Sequence, residues 1–229
     1  MYLRTHYTLL ADLFRYPDHN YIANALKCSK MLKSSYPEAY IEFIPFLQFI
    51  ESKSLHEIEE VFGKTFHIQA ICFLDLGYVL FAEDYKRGEF LVNMKNEQRL
   101  VGNDCGDELA DNLPNVLTWM TLMNDSEFLE EFALRILDPA LLKMLAEFDT
   151  ARMELKDKVR KKKQKVILLE DMENKNIFQF AIQSLRSVVN EDFKSTKYND
   201  PEIIPSLGGD FLKSCGTGCA TTPQLINTK

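Results

Sequence analysis

The chain has 229 residues, 46% of them hydrophobic, with 27 Lys and Arg against 34 Asp and Glu for a formal net charge of −7. That much apolar material excludes a disordered chain, and the negative balance argues against nucleic acid as a partner because phosphate backbones are repelled. With only 9 Gly and 8 Pro the turns of an all-β fold are not provided for, so helices are expected.

The hydrophobic period is close to 3.6 up to about residue 190, and strict alternation over a strand length is hard to find. Helices are expected at about 3–15, 20–34 and 38–50, the last bent or shortened by Pro45. Ser54 and Glu57 form a capping box that opens a helix carrying Ile58, Val61, Phe62 and Phe66 on one face. The run from Gln69 to Phe81 (QAICFLDLGYVLF) is apolar nearly all round. It reads as the central helix of a bundle over 69–82, in which Asp75 is a lone charge that needs a partner.

Helices follow at about 85–101, for which Asp84 is a good N-cap, and at 113–123, where Asn112 can cap and Pro114 sits in the first turn. Phe128, Leu129, Phe132, Ala133, Ile136 and Leu137 continue the helical pattern. Asp138-Pro139 would cap and start the next helix, and Ile177 to Val189 form another amphipathic one.

The fold class this implies is all-α, a single helical-bundle domain of about nine to ten helices over 1–190. Residues 191–229, rich in Pro, Gly, Ser and Thr, read as a flexible C-terminal tail or extended arm. The basic run KDKVRKKKQK (156–165) reads as a solvated helix end or linker.

Motifs for chemistry are scarce. His6, His19, His56 and His67 stand apart, and none has a Glu three residues before it, so neither a metalloprotease site nor a diiron bundle is marked. Phosphate-binding glycine loops and a GxSxG elbow are missing. Cys215 and Cys219 lack a second pair of ligands at usable spacing, and Cys72 reads as a core residue. Neither catalytic residues, nor a metal, nor a cofactor is therefore expected. Five cysteines do not make a disulfide framework in a chain this long, and Asp12 interrupts what would be a signal-peptide core, so a cytoplasmic protein without stable membrane insertion is expected.

One stretch asks for more than helix capping. In GDELADNLPNVL (106–117) a single polar side chain would cap the helix, which leaves Asp107, Glu108 and Asp111 over. Around it stand further motifs in order: Thr65 and Phe66; Tyr78, Leu80, Phe81, Asp84, Arg87 and Gly88; then Glu108, Leu109, Asp111, Leu113 and Pro114. Near the N-terminus, LLADLFRYPD (9–18) reads as an opening helix with a Tyr-Pro stop.

In this order and spacing the chain resembles the nitrate reductase delta-subunit family, the NarJ/TorD type of molybdoenzyme assembly chaperones, over roughly residues 1–190 and most closely over 54–123. It departs from the family pattern at His67 (usually Asp), Ala82 (Gly), Ala110 (Pro) and Asn112 (His).

The resemblance implies a non-enzymatic, system-specific chaperone. Its partner would be the N-terminal leader of a molybdopterin oxidoreductase catalytic subunit, held while cofactors are inserted; a homodimer is left open. A leader that is basic and amphipathic would lay its apolar face in a groove and its cations against carboxylates. Tyr78, Phe81, Leu113 and Leu117 are expected to line that groove and Asp107, Glu108 and Asp111 to edge it, with Asp84, Arg87 and Pro114 in the same binding region. The alternatives are a helical scaffold or oligomerisation protein and, as a poorer fit, a carboxylate-based metal hydrolase.

Overall fold

The computed structural model describes residues 4–68, 70–148 and 177–194, and they form an all-α bundle. The helices are α1 (His6–Asp12), α2 (Tyr21–Ser35), α3 (Pro37–Ser52), α4 (Leu55–Phe66), α5 (Leu76–Phe81), α6 (Tyr85–Leu100), α7 (Leu113–Leu122) and α8 (Ser126–Phe132). A π-helical turn (Ala133–Leu137) follows, then α9 (Asp138–Glu147) and α10 (Ile177–Asp192). Among the described residues there is no strand, only an isolated antiparallel bridge between Asp75 and Asn112. No helix among them is long and apolar enough to cross a membrane. The basic run 156–165, Cys215 and Cys219, and the tail from 195 on lie outside the described residues.

Most boundaries follow the punctuation of the sequence. The Ser54 hydroxyl accepts from the Glu57 N–H while the Glu57 carboxylate accepts from the Ser54 N–H, closing the capping box of α4. Asp84 accepts from the Lys86 N–H at 2.9 Å and caps α6.

At several points the structure departs from these expectations. The helix placed over 69–82 is only Leu76–Phe81, because residues 70–75 run as a turn and an extended piece. There the N–H groups of Ile71 and Cys72 both donate to the Thr65 carbonyl, and Leu76 N–H and Leu74 C=O pair with Asp111 and Leu113. These long-range bonds replace helical ones, and an apolar run buried on all sides does not by its period tell the two paths apart.

The central helix is instead α7, whose Leu113, Pro114, Val116, Leu117, Trp119 and Met120 are all buried and which packs against α1. Pro45 does not shorten α3, which runs unbroken to Ser52; the carbonyl its missing N–H leaves unpaired belongs to Ile41, on the solvent side of the helix. Asp138 does not cap α9, since the chain enters that helix from the π turn with Leu137 already helical. Its carboxylate instead meets Arg186 at 2.7 Å. Asn112 stands at the N-cap position of α7, but its side chain makes no capping bond.

The end of α10 is fastened to the start of the chain by one carboxylate. Asp192 Oδ2 lies 2.8 Å from His6 Nε2 and accepts from the Tyr7 hydroxyl at 3.0 Å, while Oδ1 accepts from the Tyr36 hydroxyl at 2.7 Å. Partial burial works against ionisation of Asp192, but the bonds from His6, Tyr36 and Tyr7 outweigh it and hold its carboxyl below the ordinary range.

A carboxyl depressed on folding adds stability above its unfolded pKa of about 4, and this contribution is lost as the pH falls through the lower folded value. Asp192→Asn is expected to cost about 1–2 kcal/mol at neutral pH, discounted for partial exposure, and to flatten the loss of stability between about pH 5 and 2. Urea unfolding across that range measures both; the same acid slope in the two proteins would contradict the assignment.

A second expected outcome concerns Ala82, which closes α5 with φ 52° and ψ −125° and is the one non-glycine residue with positive φ among those described. A Cβ is strained in that region, and Ala82 stands where the resembled family has Gly. Ala82→Gly should stabilise the fold by about 1 kcal/mol, read as a rise in thermal midpoint, despite the usual entropic penalty of glycine.

Candidate functional site

The site is built where two non-helical segments run side by side. Residues 73–78 lead into α5, and residues 102–112 lead into α7. They are joined by Leu76 N–H to Asp111 C=O (3.0 Å), Leu113 N–H to Leu74 C=O (2.9 Å) and Asn112 Nδ2 to Asp75 Oδ1 (3.0 Å). The last contact supplies the partner that Asp75 requires.

Asp111 fixes the junction. Its Oδ2 accepts the Gly77 N–H at 2.9 Å, and the side chain is buried at 1% exposure. A Cβ on Gly77 would lie 2.7 Å from that oxygen and 3.0 Å from a Phe90 ring carbon, so only glycine lets the carboxylate under the first turn of α5. Oδ1 accepts no hydrogen bond from another residue among those described. Burial raises the Asp111 carboxyl above its ordinary range, and the nearby Asp75 charge adds to this; the Gly77 N–H, the residue's own N–H and Arg87 pull the other way without cancelling it.

On the outside of this junction is an aromatic ledge. Phe73, 40% exposed, packs on half-buried Tyr78 with ring centroids 4.3 Å apart, and the Arg87 guanidinium lies 5.0 Å from the Tyr78 ring centre. Leu109 is 39% exposed on the neighbouring segment, with Asp107 and Glu108 exposed beside it. Exposed apolar side chains of this size, on two joined segments of which one also exposes carboxylates, suit a partner that is both apolar and cationic.

The acidic segment is held in place. Asn115 Nδ2, buried, donates to the carbonyls of Cys105 (3.2 Å) and Leu109 (3.0 Å), and Gln98 Nε2, also buried, donates to that of Ala110 (2.8 Å). Asn103 Nδ2 reaches Gln98 Oε1 at 2.6 Å, and Gly102 and Gly106 supply the positive φ angles of 69° and 60° that fold the segment back. Three amides thus present Asp107 and Glu108 at a defined place.

Of the residues named from the sequence, Tyr78 and Arg87 are brought into contact, and Asp107 and Glu108 are exposed on the segment that is bonded to the stretch leading into α5. Phe81 adjoins them half-buried against Phe90 at 5.8 Å, and Asp84 spends its carboxylate on the α6 cap.

Leu113, Pro114 and Leu117 do not line a groove: all three are in the core, because α7 is the central helix. Asp111 does not edge the surface but lies beneath it. Phe73, Asp75, Gly77 and Leu109 were not singled out as binding residues. Only the glycine inside an apolar run hinted at a close approach, and the contact it allows spans 34 residues.

Other chemistry finds little footing. Burial, with the nearby Asp12 charge, pushes the Cys28 thiol up to about 12, which leaves it a core residue, and Cys72 is buried as well. Among the described residues no three His, Cys, Asp or Glu side chains are grouped so as to hold a metal. Matched against models of protein families and against curated proteins, the chain finds no counterpart.

Gly77→Ala tests the junction. The methyl group must push Asp111 off the α5 N–H, so a loss of about 1–3 kcal/mol is expected in urea unfolding. Gly88→Ala is the control on a neighbouring helix, where nothing lies within 4 Å of the added carbon; it is expected to be neutral or stabilising. Equal effects of the two would contradict the close approach.

Proposed function

We propose that the chain is a system-specific assembly chaperone that binds the basic, amphipathic N-terminal leader of a molybdopterin oxidoreductase catalytic subunit and performs no catalysis of its own. The observation that carries this reading is convergence. Tyr78 and Arg87 from one motif of the resemblance pack together beside exposed Phe73, and the segment of the next motif, which exposes Asp107, Glu108 and Leu109, is bonded to the stretch that leads into their helix.

The chemistry is that of helix recognition. An amphipathic leader lays its apolar side chains on Phe73, Tyr78 and Leu109, while its Lys or Arg groups face Asp107 and Glu108. Exposed charge pairs of this kind add modest affinity each; they speed encounter, set orientation and make binding sensitive to salt. The aromatic side chains supply most of the binding free energy. Because the acidic segment is already fixed by Gln98, Asn103 and Asn115, little ordering cost is incurred on binding.

Held in this way, the client's leader is kept from premature interactions until its cofactors are in place. The scaffold alternative would leave the matched motifs without a common role. The reading is of a cytoplasmic protein, since the client acquires its cofactors before any export.

Titration calorimetry with synthetic peptides copying the N-terminal leaders of molybdoenzyme catalytic subunits provides the test. Binding at micromolar Kd or tighter that weakens with added salt is expected. D107N/E108Q should weaken it several-fold and reduce the salt dependence, and Phe73→Ala should weaken it about tenfold with helix content unchanged in both. Binding that ignores all three substitutions would place the leader elsewhere on the molecule; absence of binding by any candidate leader would overturn the reading.

A further inference from the structure

The chain's charge is strongly segregated. Residues 156–165 hold seven Lys and Arg against one Asp, a net +6 in ten residues, while the rest of the sequence holds 20 basic residues against 33 acidic ones, a net −13. Directly after the basic run comes an apolar one, Val166-Ile167-Leu168-Leu169. Cations followed by bulky aliphatic side chains are the chemistry that the ledge and its acidic edge suit, so the chain carries within itself a segment with the character of the proposed partner.

We propose that residues 156–169 of this chain occupy the aromatic ledge when no client is bound and compete with the client leader for it. The inference rests on the reading of the ledge as a site for a basic, apolar segment, and it adds regulation to that reading.

Charge complementarity and the path of the chain both support it. Helix α9, after which the segment follows, packs against α5, and Lys143 Nζ donates to the Leu80 carbonyl at 2.9 Å. Phe148, where the described part of that stretch ends, is five residues further on, about 8 Å along a helix. From there eight residues lead to Lys156 and can span roughly 26–29 Å when extended. Helix α5 itself, which leads from the Asp111 junction to Leu80, is only about 9 Å long, so the ledge is within reach.

Asp107 and Glu108 are exposed on the segment bonded to the stretch that carries Phe73 and Tyr78, and exposed Glu83 follows the end of α5 in the chain. Connection through the chain keeps the segment at a local concentration in the millimolar range, enough for a weak internal ligand to hold the site until a tighter leader displaces it. Added salt would loosen this internal contact as well as the client's.

The test uses the full chain and the variant K158Q/R160Q/K161Q/K162Q/K163Q, with two probes, a client leader and a peptide copying residues 156–169. The variant is expected to bind the client leader about tenfold more tightly than the natural chain. It should also bind the 156–169 peptide, which the natural chain binds more weakly because its own segment is in place. Adding D107N/E108Q should weaken that peptide's binding to the variant.

Equal leader affinity of the two chains would overturn the inference and leave the proposed function standing. Binding of the 156–169 peptide without binding of any leader would support the internal occupant and overturn the chaperone reading. Failure of the peptide to bind the variant, whose fold is checked by circular dichroism and thermal melting, would overturn the inference whatever the leader does.

Discussion

One buried carboxylate sets the layout of the surface. Asp111 sits beneath the first turn of α5 and holds its Gly77 N–H, at a distance only glycine allows. An ionisable group at 1% exposure is costly to bury, and the one bond that engages it, from Gly77 N–H to Oδ2, joins segments 34 residues apart. Because the backbones of 74–76 and 111–113 are bonded to each other at the same point, the segment leading into α5 and the segment leading into α7 are held together there. The ledge is a consequence of that junction.

The two polar clusters of the molecule do different work. Around Asp192, His6, Tyr7 and Tyr36 tie the first helix, the α2–α3 junction and the last helix into one body, an arrangement that closes the bundle. Around Gln98, Asn103 and Asn115, neutral amides are spent on loop carbonyls, so the carboxylates of Asp107 and Glu108 stay unengaged by that framework and face outward. Amides hold shape without adding charge, and the segment's negative charge is kept for whatever approaches it.

Much of this was legible in the sequence wherever a local signal decides the structure. The capping box at Ser54, the Asp84 cap and the Pro114 first turn each act within four residues, and the helices they mark begin where expected. The stretch before α5 was not legible, because an apolar run fits a buried turn as well as a buried helix, and long-range bonds to Asp111 and Leu113 made the choice.

The same limit explains the site residues. Asp107 and Glu108 lie outward as a polar loop should, whereas Asp111, equally acidic and three residues on, is drawn inside by a contact that no window of sequence contains. Leu113 and Leu117 were read as groove and are core because α7, not the run before it, took the central position. The motifs of the resemblance lie on two segments that the fold bonds together, but which of their side chains face out depended on packing.

The most direct measurement of the central claim is hydrogen–deuterium exchange on the full chain with and without a saturating basic leader peptide. If the ledge is the binding surface, slowed exchange is expected in residues 70–78 and 102–112, with the α3–α10 side of the bundle unchanged. Protection confined to α3 and α10, or none in the two joined segments despite saturation, would contradict it.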